Sequence, residues 1–171
     1  NHFVHIPRIK SALSALGYSE DKINIIVYQY VRLKKSGQAL SMGKRLGNFV
    51  TLREVIESGV AADAFKYFIL AQNNNTPFDF DLELAKDTSE KNPVYYIKYA
   101  HARICSILVK EGNGGTRNEE RADYSLLKNP KEVALYKELV KFPETIADIA
   151  ANFQIQALPH FAYKIAGLFH D

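Results

Sequence analysis

Apolar residues recur at helical spacing through much of the chain. Over 5–16, Ile6, Ile9, Leu13 and Leu16 follow one another at steps of three or four, the period of an amphipathic helix. Pro7 suits the first turn and Gly17 the stop. The pattern then changes. Residues 23–31 are β-branched and aromatic, the composition of a buried strand, and Gln29 in their midst is an amide that must find partners if buried. Ser36-Gly37 marks a turn, and 38–42 reads as a return strand. One strand cannot make a sheet, so this region is expected to be poorly supported.

Beyond it the helical period returns. Thr51 and Glu54 have the spacing of a capping box and predict a helix over 52–58 that ends at Gly59. A second, over 61–71, gathers Ala64, Phe65, Phe68 and Ile69 on one face. A polar loop over 72–77 carries turn chemistry. Phe78-Asp79-Phe80-Asp81 alternates, which predicts an extended segment with buried rings and exposed acids. Asp79 and Asp81 are therefore not read as a catalytic pair; Asp81 caps a short helix over 82–90. Pro93 opens a helix through 92–104. A glycine-rich, charged loop at 111–121 precedes helices at about 130–141, 143–152 and 158–169. Their apolar sides are Val133, Leu135, Tyr136 and Leu139; Ile146, Ile149, Ala150 and Phe153; and Phe161, Ile165 and Leu168. Short connections between amphipathic helices indicate a bundle.

Composition narrows the class. The 171 residues are 47% hydrophobic with net charge +3, enough for a packed core in one domain or two small ones. No apolar run approaches the roughly 20 residues needed to span a bilayer. The start, Asn1-His2-Phe3-Val4-His5, lacks both signal-peptide features and an initiator Met, and an excised piece is expected. The single cysteine, Cys105, forms no internal disulfide. It fits a reducing cytoplasm and reads as a small core residue.

Charge is unevenly spread. From Lys22 to Arg53 the chain carries Arg32, Lys34, Lys35, Lys44 and Arg45 as well, and no Asp or Glu. Such a stretch makes a local positive field suited to nucleotide phosphates or an RNA backbone. Within it, Ser41-Met42-Gly43-Lys44-Arg45 and Gly47 place two cations between glycines. Glycine lets the backbone approach a ligand, and Lys and Arg supply a point charge and a planar fork for phosphate. A solvated turn is the plain alternative. A second candidate lies in 92–104, where Tyr96, Tyr99 and Arg103 share one helix side. Rings beside an arginine can stack on an exposed 3′-terminal base and hold phosphate; a helix packed by its tyrosines has the same pattern. No His/Cys/Asp/Glu spacing suggests a structural metal site.

Ser41-Met42-Gly43-Lys44-Arg45 resembles a variant of the "KMSKR" signature of class I aminoacyl-tRNA synthetases. The continuation Gly47-Asn48-Phe49-Val50-Thr51-Leu52-Arg53 resembles the bacterial arginyl branch. The run Asp63 to Leu70 is similar to the segment joining that loop to the helical domain, with Lys66 where arginine is common. The run Asn92 to Ile104 resembles the start of the family's anticodon-binding helices, and Pro159-His160 and Phe169-His170 resemble its bundle. Ser41 and Gly43 depart from the signature's first lysine and its serine, which concentrates the case on Lys44.

The resemblance implies a mainly α chain: a helical bundle of anticodon-binding type preceded by the C-terminal remnant of a Rossmann-like α/β catalytic domain. The units would be 1–51 (the end of the nucleotide-binding domain), 52–91 (connecting helices) and 92–171 (the bundle, truncated). It implies a cytoplasmic enzyme, monomeric at full length, that joins arginine to its tRNA using ATP with Mg2+. Lys44 would be catalytic. Ser41, Met42, Gly43, Arg45 and His2 would bind ATP, Gln29 the amino acid, and Tyr96, Tyr99, His101 and Arg103 the tRNA. The other class I ATP motif lies outside the chain, so the piece alone is expected to be inactive and to need the rest of the synthetase. A non-catalytic tRNA-binding or interaction module, and a cysteinyl-type synthetase, are the alternatives.

Overall fold

The computed structural model describes residues 2–40, 49–110 and 124–171, with the backbone alone at positions 2 and 124. Helix α1 (His5–Ala15) forms as the periodicity predicts. The strand does not fall where composition put it. Residues 23–30 run extended without a ladder, and β1 is Val31–Lys35. β-branched composition favours extended backbone, but a strand exists only where a neighbour accepts its hydrogen bonds. Beyond the local Ile23 N–H bond to the Glu20 carbonyl at 3.2 Å, the backbone of 23–30 is bonded at its end. Gln29 N–H donates to the Asn74 carbonyl at 2.8 Å, and Tyr30 carbonyl accepts from Phe78 N–H at 3.3 Å.

The expectation of an unsupported hairpin is also corrected. Strand β2 (Gln38–Ala39) returns antiparallel to β1, and β3 (Phe78–Asp81) runs parallel on its other side, giving the order β2-β1-β3. The two-residue turn Ser36-Gly37 has φ of 51° and 77°, the doubly positive pair that suits a tight hairpin. Between β1 and β3 the chain makes helices α2 (Leu52–Glu57) and α3 (Ala62–Leu70), the helical crossover that parallel strands require.

This small α/β unit holds the best-buried core. Leu33, Val55, Val60, Phe80, Leu82 and Ala85 form it, with Val31, Leu40, Phe65, Phe68, Ile69 and Phe78 packed around them. Phe80 is fully buried, its ring 5.3 Å from Phe65, 6.0 Å from Phe68 and 6.1 Å from Phe78. Alternation along β3 therefore works as predicted for Phe80, and Asp81 caps α4 by accepting from the Glu83 and Leu84 N–H groups. Helix α4 is Leu82–Lys86, shorter than the predicted 82–90, because Asp87 turns extended and bonds the Ser89 N–H.

Helix α5 (Pro93–Lys110) follows, and its entry is fixed by Asn92. That residue is 4% exposed; its Oδ1 accepts from Val94 N–H, and its Nδ2 donates to the carbonyls of Ala85 and Asp87. Helices α6 (Pro130–Leu139), α7 (Phe142–Asn152) and α8 (Ala157–His170) complete the bundle close to their predicted bounds. Helix α8 packs against α5, α6 and α7. The apolar side predicted for α6 is only partly covered, since Tyr136 and Leu139 stay exposed. The buried residue of that helix is Glu138, 9% exposed. Cys105 is exposed rather than a core residue, because it sits on the side of α5 away from α8.

Candidate nucleic-acid interface

Ser41, Met42, Gly43, Lys44 and Arg45 lie outside the described residues, as do the side chain of His2 and the glycine-rich stretch 111–121. The flanks of 41–48 are well defined. On one side Leu40 donates its N–H to the Leu33 carbonyl at 2.8 Å and packs on the core. On the other, Thr51 closes the predicted capping box: its Oγ1 accepts from Glu54 N–H, and the Glu54 carboxylate accepts from Thr51 N–H at 2.6 Å. The Thr51 backbone donor holds the Glu54 carboxyl below its ordinary value. Val55, one residue on, is in the same core as Leu33. Both ends of the Lys44 stretch are thus tied to one hydrophobic cluster.

The positive field expected over 22–53 is partly cancelled. Asp79 lies opposite Arg32 in the β1–β3 register and pairs with Arg32 at 2.6 Å and Lys34 at 3.0 Å. Those bonds, Lys34 first, hold its carboxyl below the usual carboxylate range. Asp79 thus sits in cross-strand ion pairs and Asp81 caps a helix. Gln29 is half-buried beside the apolar groove between α1 and 23–30, a cavity of about 660 Å³ that Phe3, Ile6, Ile9 and Tyr28 also line.

On α5 the structure brings together three of the four residues marked for RNA. Tyr96, Tyr99 and Arg103 face α8, where they surround His170. The Tyr96 ring lies 4.6 Å from the imidazole and 5.3 Å from Tyr163, and burial pushes its phenol pKa up. Tyr99 stacks on His170 at 5.2 Å and 19°. The Arg103 guanidinium sits 5.8 Å from the Tyr99 ring and 5.6 Å from Phe169, within cation–π range. Buried Ala100 and Ala166 lie on these helices, and their small side chains suit close approach. Tyr96 packs the helix pair, while Tyr99 and Arg103 remain exposed. His101 is apart, exposed on another side of α5 with its Nε2 3.6 Å from Cys105 Sγ.

Two polar residues of the bundle escape the sequence pattern. Glu138 on α6 binds Lys141 and, across to α8, Lys164, both at 2.9 Å. The Lys164 bond first, then Lys141, lowers its carboxyl pKa. His170 lies at the centre of the aromatic cluster, against Tyr96, Tyr99 and Phe169. Their signal was present: Glu138 lies within the α6 apolar stripe, and Tyr163, Ala166 and His170 recur at helical spacing on α8.

A helical bundle with a ring-and-arginine cluster follows a small α/β unit. Residues 97–171 match the DALR anticodon binding domain. Over nearly its whole length the chain is similar to proteins named arginine–tRNA ligases. It is 42% identical to that of Desulforudis audaxviator over 99% of this chain and 31% of the relative, and 41% identical to that of Moorella thermoacetica over 100% and 31%. A provisionally assigned arginyl tRNA synthetase from Campylobacter jejuni has the same fold, with a TM-score of 0.81 and 30% identity over 99% of this chain and 36% of that one. The chain spans about a third of the length of the relatives it matches.

Among the described residues no helix is long and apolar enough to cross a membrane, and no group of three His, Cys, Asp or Glu could hold a metal ion.

Proposed function

We infer that the chain is the part of an arginine–tRNA ligase that supplies the lysine loop over ATP and the helices that bind tRNA. The observation that carries this reading is the similarity to arginine–tRNA ligases at 41–42% identity over 99–100% of the chain. ATP, arginine and tRNA are its substrates, with magnesium accompanying the ATP phosphates. The units are 1–51 for the catalytic-domain end, 52–91 for the connection and 92–171 for the bundle. The enzyme works in the cytoplasm.

In the activation step the arginine carboxylate attacks the α-phosphate of ATP and pyrophosphate leaves. Negative charge grows on the departing pyrophosphate, and a lysine placed there stabilises it more in the transition state than in the ground state. Lys44 has that role, with Arg45 as a second phosphate contact and Ser41, Met42 and Gly43 shaping the approach. His2 borders the ATP pocket, and Gln29 contacts the amino acid. Leu40 and Val55, on either side of this stretch, belong to one core, which supports a fixed placement of its two flanks. The arginyl group then passes to a hydroxyl at the tRNA 3′ end. Tyr96, Tyr99 and Arg103 contact the RNA from the α8-facing side of α5, and His101 contacts it from another side of the same helix.

The test is arginine-dependent pyrophosphate exchange and tRNA charging by the full-length protein. Both activities are expected, and the 171-residue chain alone is expected to show neither. Charging of tRNA with another amino acid would overturn the assignment.

A further inference from the structure

Arg103 donates from Nη1 to His170 Nδ1 across 3.1 Å. Arginine has donors only and keeps its proton at any ordinary pH. The bond therefore requires a lone pair on Nδ1, which fixes His170 as the neutral tautomer with its proton on Nε2. That Nε2 is buried and has no hydrogen-bond partner among the described residues. An unpaired buried donor is unfavourable, so the ring is held in place by what surrounds it: Tyr96 at 4.6 Å, Tyr99 stacked at 5.2 Å, Phe169 at 5.8 Å and the Arg103 bond.

From the proposed RNA-binding function we propose that His170 is a positioning residue. As a neutral acceptor it pins the Arg103 guanidinium between Tyr99 and Phe169, so that the remaining Arg103 donors face RNA phosphate. Protonation of His170 puts a proton on Nδ1, sets donor against donor and cation against cation, and releases Arg103. The groups around His170 act in both directions. Tyr96, Tyr99 and Arg103 come from α5, and Arg103 opposes the imidazolium. Tyr163 and Asp171 belong to the α8 side, and Lys131 reaches over from α6 to the Asp171 carbonyl. The Tyr96 and Tyr99 faces and the Asp171 carboxylate favour it.

The experiment is a double-mutant cycle on the full-length protein, reading Kd for a tRNA(Arg) transcript at fixed salt. At about pH 8, Arg103→Ala is expected to weaken binding about 10-fold, as for one charge-assisted phosphate contact. His170→Phe keeps a ring and loses the acceptor; it should weaken binding nearly as much, and the double variant should be no weaker than Arg103→Ala. On acidification the Arg103→Ala effect should shrink in the parent. In a His170→Gln background, which keeps an acceptor without titrating, it should stay constant with pH. Additive losses, or an Arg103 effect independent of pH in the parent, would overturn the positioning role. An Arg103→Ala protein with unchanged Kd at every pH would overturn the RNA reading of this face, and the proposal with it. If His170→Phe fails to fold, the parent and His170→Gln pH profiles decide alone.

Discussion

Replacing Phe80 with alanine tests the claim that the α/β unit is a self-supporting core that holds both flanks of the lysine loop. Phe80 is 0% exposed and meets three other phenylalanine rings at 5.3–6.1 Å. Its strand provides the parallel edge of β1, and Leu40 and Val55 pack in the same cluster. Truncating a buried phenylalanine removes its transfer free energy and leaves a cavity, at a cost of about 3–5 kcal/mol. The neighbouring rings sit on different elements, β3 and α3, and cannot close over the gap without breaking strand register. The upper half of that range is therefore the expectation. With a urea dependence of about 2 kcal/mol per molar, the unfolding midpoint should fall by about 2 M. Phe80→Leu, which fills much of the space, should cost about 1.5 kcal/mol at most. Tyr28, 77% exposed, is the control; its alanine variant should lie within about 0.5 kcal/mol of the parent. Urea unfolding followed by circular dichroism gives all three. A Phe80→Ala midpoint within 0.5 M of the parent would refute the reasoning and place the stability of the chain in the bundle.

Other expectations are simpler. Thr51→Ala removes the side-chain half of the capping box on α2 and should cost about 1 kcal/mol, read as a lower melting temperature; no change would mean the helix is held by packing alone. Asn92→Ala leaves the Val94 N–H and two carbonyls without their partner in a buried site and should cost about 1–3 kcal/mol, in the same assay. Glu138 holds its proton less tightly folded than unfolded. Its contribution is thus complete above the ordinary glutamate value of about 4.3 and is lost as pH falls through the lowered folded value. The melting temperature of the parent should drop between about pH 5 and 3 more steeply than that of Glu138→Gln; parallel curves would remove the α6–α8 ion pairs from the stability account.

Local chemistry made much of this legible. The bundle helices, the Ser36-Gly37 turn, the Thr51 capping box, the Asp81 cap and Pro93 at a helix start each follow from a few adjacent residues. The strand was misplaced because the apolar run 23–30 has the right composition and no strand ladder, while the charged Val31–Lys35 finds one in β3, 47 residues away in the chain. Pairing across that distance leaves no trace in the period of either segment. Cys105 was misassigned for a related reason: helical spacing says which residues share a side, and only the neighbouring helix decides which side is covered. Glu138 and His170 were missed because a polar residue in an apolar stripe declares itself only when its partners, Lys164 and Arg103, arrive from another helix.

The most direct test of the account is the full-length protein with Lys44→Ala, assayed for arginine- and tRNA-dependent pyrophosphate exchange alongside ATP affinity. Loss of one preorganised contact to the developing charge predicts a fall in turnover of about 100- to 1,000-fold with ATP affinity little changed. Unchanged turnover would contradict it and would mean that the pyrophosphate charge is met by residues other than the Ser41–Arg45 stretch.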